Sequence, residues 1–127
     1  MKAFFIVTKS IPLRTMRMNY KATQKFEKDL KKLCKKYSSL DEDLEEFKKV
    51  LNSFPLGKDK HFAVLKDYKG TKVAKARLFC RTLKGSSLRI VYAYQEQSEV
   101  IEFIELYYKG SQTREDSQRI EDYLTFL

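Results

Sequence analysis

The stretch KVAKARLFCRTLKGSSLRIVY, residues 72–92, holds two strand-like runs separated by a Lys84-Gly85-Ser86 break. The first run alternates. Ala74, Ala76, Leu78 and Cys80 fall on one face, and Val73, Lys75, Arg77, Phe79 and Arg81 on the other. Successive strand side chains point to opposite faces, so a small apolar face can pack inward while a basic row is left outside. The second run, residues 88–95, is rich in β-formers and brings Arg89 beside that row. A merely solvated face would mix charges of both signs. This one interleaves only cations with apolar residues, which suits a phosphate backbone with bases to stack.

Working outward, the preceding residues read as two helices. Phe26, Leu30, Leu33, Cys34 and Tyr37 form one stripe at helical spacing over residues 23–37, with Thr23 as N-cap and lysines on the opposite face. Leu40, Leu44, Phe47, Leu51 and Phe54 form a second stripe. Ser39 with Glu42 fits a capping box, acidic residues crowd the first turns, and Pro55 ends the helix. The short link predicts an antiparallel helical hairpin. Residues 55–70 read as a loop with a short strand-like piece near residues 61–65. Residues 100–108 make a further strand, with Val100, Glu102, Ile104 and Leu106 opposite Ile101, Phe103, Glu105 and Tyr107. Short turns predict an antiparallel meander. Thr113 with Asp116 opens a short final helix carrying Ile120, Tyr123, Leu124 and Leu127. The expected architecture is α+β: a two-layer domain with the helices on one face of an antiparallel sheet, with a further strand over residues 17–22.

The 127 residues suit one domain, spanning 1–127, with residues 1–17 as an N-terminal extension. The run AFFIV, residues 3–7, is too short for a signal-peptide core and reads as an edge strand or arm; Met16 and Met18 offer later starts. A net charge of +9 favours a polyanionic partner: nucleic acid, a ribonucleoprotein, an anionic membrane or an acidic protein. Cys34 and Cys80 form no CxxC, and His61 is the one histidine, which argues against a zinc site and for buried free thiols in a reducing, cytoplasmic compartment. No apolar run approaches the roughly 20 residues of a membrane span.

Several segments together resemble the RelE/ParE superfamily, the toxins of type II toxin–antitoxin modules. They are YKATQKFEKDLKKL (residues 20–33), the helical hairpin, the Lys75-Ala76-Arg77 strand, LRIVYAY (88–94) and YYKG (107–110) before a helix. The resemblance covers roughly residues 18–127 and rests on element order and a few basic positions. For the RelE branch it implies metal-independent cleavage of mRNA in the ribosomal A site, with no cofactor. The substrate's 2′-hydroxyl attacks the scissile phosphate and leaves a 2′,3′-cyclic phosphate, while fixed cations stabilise the transition state. Carried over by position, the catalytic cations are Lys75, Arg77 and Arg89. Arg81, Lys84, Lys109, Tyr108 and Lys72 are the expected RNA contacts. RelE has a tyrosine beyond its last basic position, where this chain reads SQTRED (111–116), so the general base is left open. Lys75 could serve if neighbouring cations lowered its pKa; His61 stands alone in a loop. The implied partners are a cognate antitoxin and mRNA on the ribosome, with 16S rRNA and 30S subunit contacts, and no membrane. An acidic antitoxin segment laid over the cations would inhibit. Alternatives are a gyrase-inhibiting toxin of the ParE branch, and a non-enzymatic or inactive basic RNA-binding relative.

Overall fold

The computed structural model describes residues 18–57 and 59–127, so the arm over residues 3–7 and the extension 1–17 lie outside the described residues. The elements run β1 (Asn19–Ala22), α1 (Gln24–Cys34), α2 (Leu40–Ser53), β2 (Phe62–Tyr68), β3 (Thr71–Cys80), a 3-10 turn (Arg81–Leu83), β4 (Gly85–Gln95), β5 (Val100–Tyr108) and α3 (Ser117–Thr125). One five-stranded sheet has the order β1-β5-β4-β3-β2.

The meander from β2 to β5 is antiparallel, as the short turns predict, but the sheet is mixed. β1 runs parallel to β5, with Tyr20 opposite Ile101. No turn joins these two strands, so none fixes their relative direction. β1 instead feeds α1: the Thr23 N–H donates to Phe103 O, and the Thr23 hydroxyl accepts from the Phe26 N–H to cap the helix.

α1 packs on β5 and α2 on β3. Phe26, Leu40, Leu44, Phe47 and Leu51 bury themselves on Ala74, Ala76, Leu78, Cys80, Leu88, Ile90, Tyr92 and Phe103. The small side chains expected on β3 therefore do face the helices. Tyr92 is wholly buried, and its hydroxyl donates to Pro55 O at 2.7 Å.

The expected two layers are corrected by α3. Ile120 and Leu124 cover Val73, Val91, Ala93 and Ile104 on the opposite face of the sheet. A bulge in β5 contributes to this. Val91 pairs with Glu105 and Tyr92 with Phe103, so Ile104 is the extra residue and the alternation slips by one. Phe103 and Leu106 join the helix-side core, while Ile104 and Tyr107 join the other, which strict alternation does not allow.

Two caps also differ. Ser39 makes no side-chain cap for α2; its hydroxyl donates to Asp43 at 2.6 Å and accepts from the Thr82 N–H, tying the helix start to the end of β3. α3 is capped by Asp116, which accepts from the Arg119 N–H, and Thr113 lies further upstream.

Candidate functional site

At the margin of the core that α3 covers, a row crosses three strands, running from exposed Arg77 to buried Tyr107. Arg77 on β3 faces Arg89 on β4, which faces Tyr107 on β5. The next row is Lys75, Val91 and Glu105. The Arg77 N–H bonds outward to His61 O, so Arg77 and Arg89 form a non-hydrogen-bonded pair, the kind whose side chains lie closer together. Like charges directly opposite are destabilising. Burial and the charge of Arg77 both push the Arg89 pKa down. Arg89 Nη1 also donates to Leu88 O at 3.2 Å, and an anion between the two guanidiniums would lower their mutual repulsion.

A carboxylate enters this cationic surface from the loop before α3. Lys75 Nζ donates to Glu115 Oε1 at 2.7 Å, and both side chains are largely covered. Burial is the largest influence on Glu115 and would raise it, but the Lys75 hydrogen bond, a backbone hydrogen bond and the charges of Lys75 and Arg114 together hold the carboxyl below its usual range. Buried Glu105 fixes that loop: it accepts from Gln112 Nε2 at 2.7 Å and from the Asp116 N–H at 2.8 Å. Tyr107 is pushed up to about 12, by burial first and then by Glu115 and Glu105, so it keeps its proton at neutral pH. The surface thus joins cations, one proton acceptor and one neutral hydroxyl donor.

Lys75, Arg77 and Arg89 come together as the sequence alternation suggests; other sites fall elsewhere. Arg81 leaves the strand in the 3-10 turn and points at α2, where Asp43 and Glu42 accept from it, so it does not continue the parity of Arg77. Lys72 lies on the helix-side parity of β3 and pairs with Asp67 at 3.3 Å. Tyr108 packs with the helix-side core, and its ring closes on Gly110, where a Cβ would lie 2.4 Å from it. Lys84 is exposed, and its left-handed backbone (φ 60°) turns the chain into β4. Lys109 is exposed just beyond β5, at the end of the sheet where the row lies. Glu102 accepts from Tyr123, and Glu105 accepts from Gln112 and Asp116.

Sequence reasoning missed Glu115 and the role of Tyr107. The acid beside a helix cap in SQTRED was its only trace of Glu115. Tyr107 could be placed beside Arg89 only once the bulge was known.

No family model matches the chain, and no curated protein does. Among solved structures, a chain of the archaeal RelE–RelB complex from Pyrococcus horikoshii OT3 is 20% identical, over 73% of this chain and 96% of its own, with a TM-score of 0.58. The conserved hypothetical protein HP0892 from Helicobacter pylori is also 20% identical, over 74% of this chain and 97% of its own, with a TM-score of 0.48. With its five-stranded mixed sheet and three described helices, this chain has a RelE-like fold.

Proposed function

We propose that the chain is the toxin of a type II toxin–antitoxin module and cuts mRNA on the ribosome without a metal. One observation carries the reading: exposed Arg77 and half-buried Arg89 are held opposite each other on the sheet, with Lys75 in the next row and buried Tyr107 in line. In this reading the scissile phosphate lies on Arg77, Arg89 and Lys75. The 2′-hydroxyl attacks phosphorus and gives its proton to Glu115. The bond from phosphorus to the 5′-oxygen breaks, and that oxygen takes a proton from Tyr107. The products are a 2′,3′-cyclic phosphate and a 5′-hydroxyl. The cations stabilise charge that grows in the transition state, where fixed donors contribute most. Glu115 supplies the base that the tyrosine-free SQTRED segment left open, and Lys75 acts as donor to it.

The solved complex of the RelE-like neighbour with RelB supports a cognate antitoxin as partner. The test is inducible expression in a bacterium with genome-wide mapping of mRNA 5′ ends. Cuts at a fixed register within translated codons, absent in an Arg77→Ala/Arg89→Ala variant, are expected. Growth arrest without cuts would move the target to gyrase, and neither arrest nor cuts would leave a binding protein.

A further inference from the structure

The two edges of the sheet are finished differently. β5 extends past the end of β1, and there the Leu106 N–H donates to Asp29 while Arg119 reaches both Asp29 and Ile104 O. That edge is closed. β3 extends past the end of β2, whose register with it stops at Phe62 opposite Ala76. Beyond it the Arg77 N–H meets His61 O and the Arg81 N–H meets Asp43. By alternation, Phe79 between them also turns its backbone outward. Among the described residues no strand covers it, and its side chain is 61% exposed. Such an edge is a template for another strand.

A groove of about 940 Å³ runs between this edge and α2. Phe47, Phe62 and Leu78 line its apolar floor, and Val50 is 45% exposed beside them. Its α2 wall carries Glu42, Asp43, Glu45 and Glu46, and with Asp59 these carboxylates outnumber Arg77 and Arg81, the two arginines that also line it. The chain as a whole carries +9, so a concentration of carboxylates here singles the groove out. Glu42 pairs with Arg81, and Glu45 and Glu46 pair with Lys48 and Lys49 three residues on; surface pairs of this kind are worth little and exchange readily.

We propose that this edge takes an extended segment of a partner protein as an added strand, whose alternate positions facing α2 carry apolar residues at the centre and lysine or arginine at the ends. Backbone bonds to Phe79 would supply affinity, and the groove with its acidic wall would select the sequence. The opposite chemistry, an acidic segment, suits the Arg77–Arg89 face. The proposal does not depend on RNA cleavage.

The test uses the full chain and a capped heptapeptide, Lys-Thr-Val-Thr-Phe-Thr-Lys, beside its glutamate-for-lysine counterpart. Saturating peptide should slow amide exchange at Phe79 at least about tenfold, and Glu42→Lys/Glu46→Lys should weaken binding at least about tenfold. Glu42→Gln/Glu46→Gln should weaken it less, and Arg89→Ala should leave it unchanged. No binding at about 1 mM, equal binding of the acidic peptide, or unchanged exchange at Phe79 would overturn the proposal. A dimer that Phe79→Glu dissolves would assign the edge to a second copy of this chain and overturn it too.

Discussion

Replacing Arg77 with glutamine should make the protein more stable and less able to hold RNA. Arg77 is exposed, Arg89 half-buried, and the two face each other in a non-hydrogen-bonded cross-strand pair. Among the described residues no carboxylate forms an ion pair with Arg77. Cβ atoms so placed lie about 4.5–5.5 Å apart, which lets the guanidinium charges approach to roughly 5–6 Å. At an effective dielectric of about 40–80, their repulsion is roughly 0.7–1.7 kcal/mol. A gain of about 1 kcal/mol raises Tm by about 4 °C for a domain of this size. In about 0.5 M salt the screening length falls to roughly 4 Å, and most of that gain should vanish. Thermal melts of both proteins at low and high salt measure it. Adding inorganic phosphate or a short RNA should raise the wild-type Tm more than that of Arg77→Gln, because only the wild type keeps both arginines for the anion. A variant that melts lower than wild type, or whose gain survives high salt, would refute the claim that this pair is held against its own repulsion.

Three further outcomes follow from the same contacts. Glu115→Gln should cut RNA cleavage by about 10²–10⁴-fold without weakening RNA binding, measured by single-turnover cleavage beside binding to the same substrate. With Glu115 as the proposed base, the wild-type rate should hold down to the ordinary glutamate pKa of about 4.3 and fall only below it, because its carboxyl, raised by burial, is lowered more strongly by Lys75 and its other partners. Tyr107→Phe should slow cleavage. With Tyr107 pushed up to about 12, the wild type should keep its rate into mildly alkaline solution, and an early alkaline loss would argue against a tyrosine acid. Asp43→Asn should cost about 2 kcal/mol in urea denaturation, since Asp43 is buried and accepts from Ser39 and from two Arg81 donors. Burial alone would raise the Asp43 pKa, but these bonds lower it. Its stabilisation is therefore full above the unfolded value of about 3.9 and is lost as pH falls through the lower folded value. The acid denaturation profile should lose that component in the variant.

The strands and helices were legible because their apolar spacing is strict. Ala74, Ala76, Leu78 and Cys80 could pack only one way, and this placed Lys75 and Arg77 on the other face. Arg89 followed from the hairpin. The β5 bulge was not legible, because Ile104 is apolar in either register and only the pairing with β4 shows the slip. The same slip hid the opposite-face core, and with it the place of α3 and the position of Tyr107. Arg81 looked like a continuation of the basic row because alternation was extended past the last strand residue. The 3-10 turn there answers to Asp43 and Glu42, a tertiary contact that local pattern does not carry. Parallel pairing of β1 was equally hidden, since its partner lies about eighty residues along the chain.

The proposal that the Arg77–Arg89 face cleaves RNA on the ribosome by internal attack of the 2′-hydroxyl can be tested on the cut ends themselves. The most direct measurement is incubation of purified protein with programmed ribosomes, followed by analysis of the termini of the cut message. The account predicts 2′,3′-cyclic phosphate and 5′-hydroxyl ends, formed only on the ribosome, undiminished by chelator, and lost in Arg77→Ala/Arg89→Ala. Uncut message, cuts that survive in that variant, or 5′-phosphate ends would contradict it.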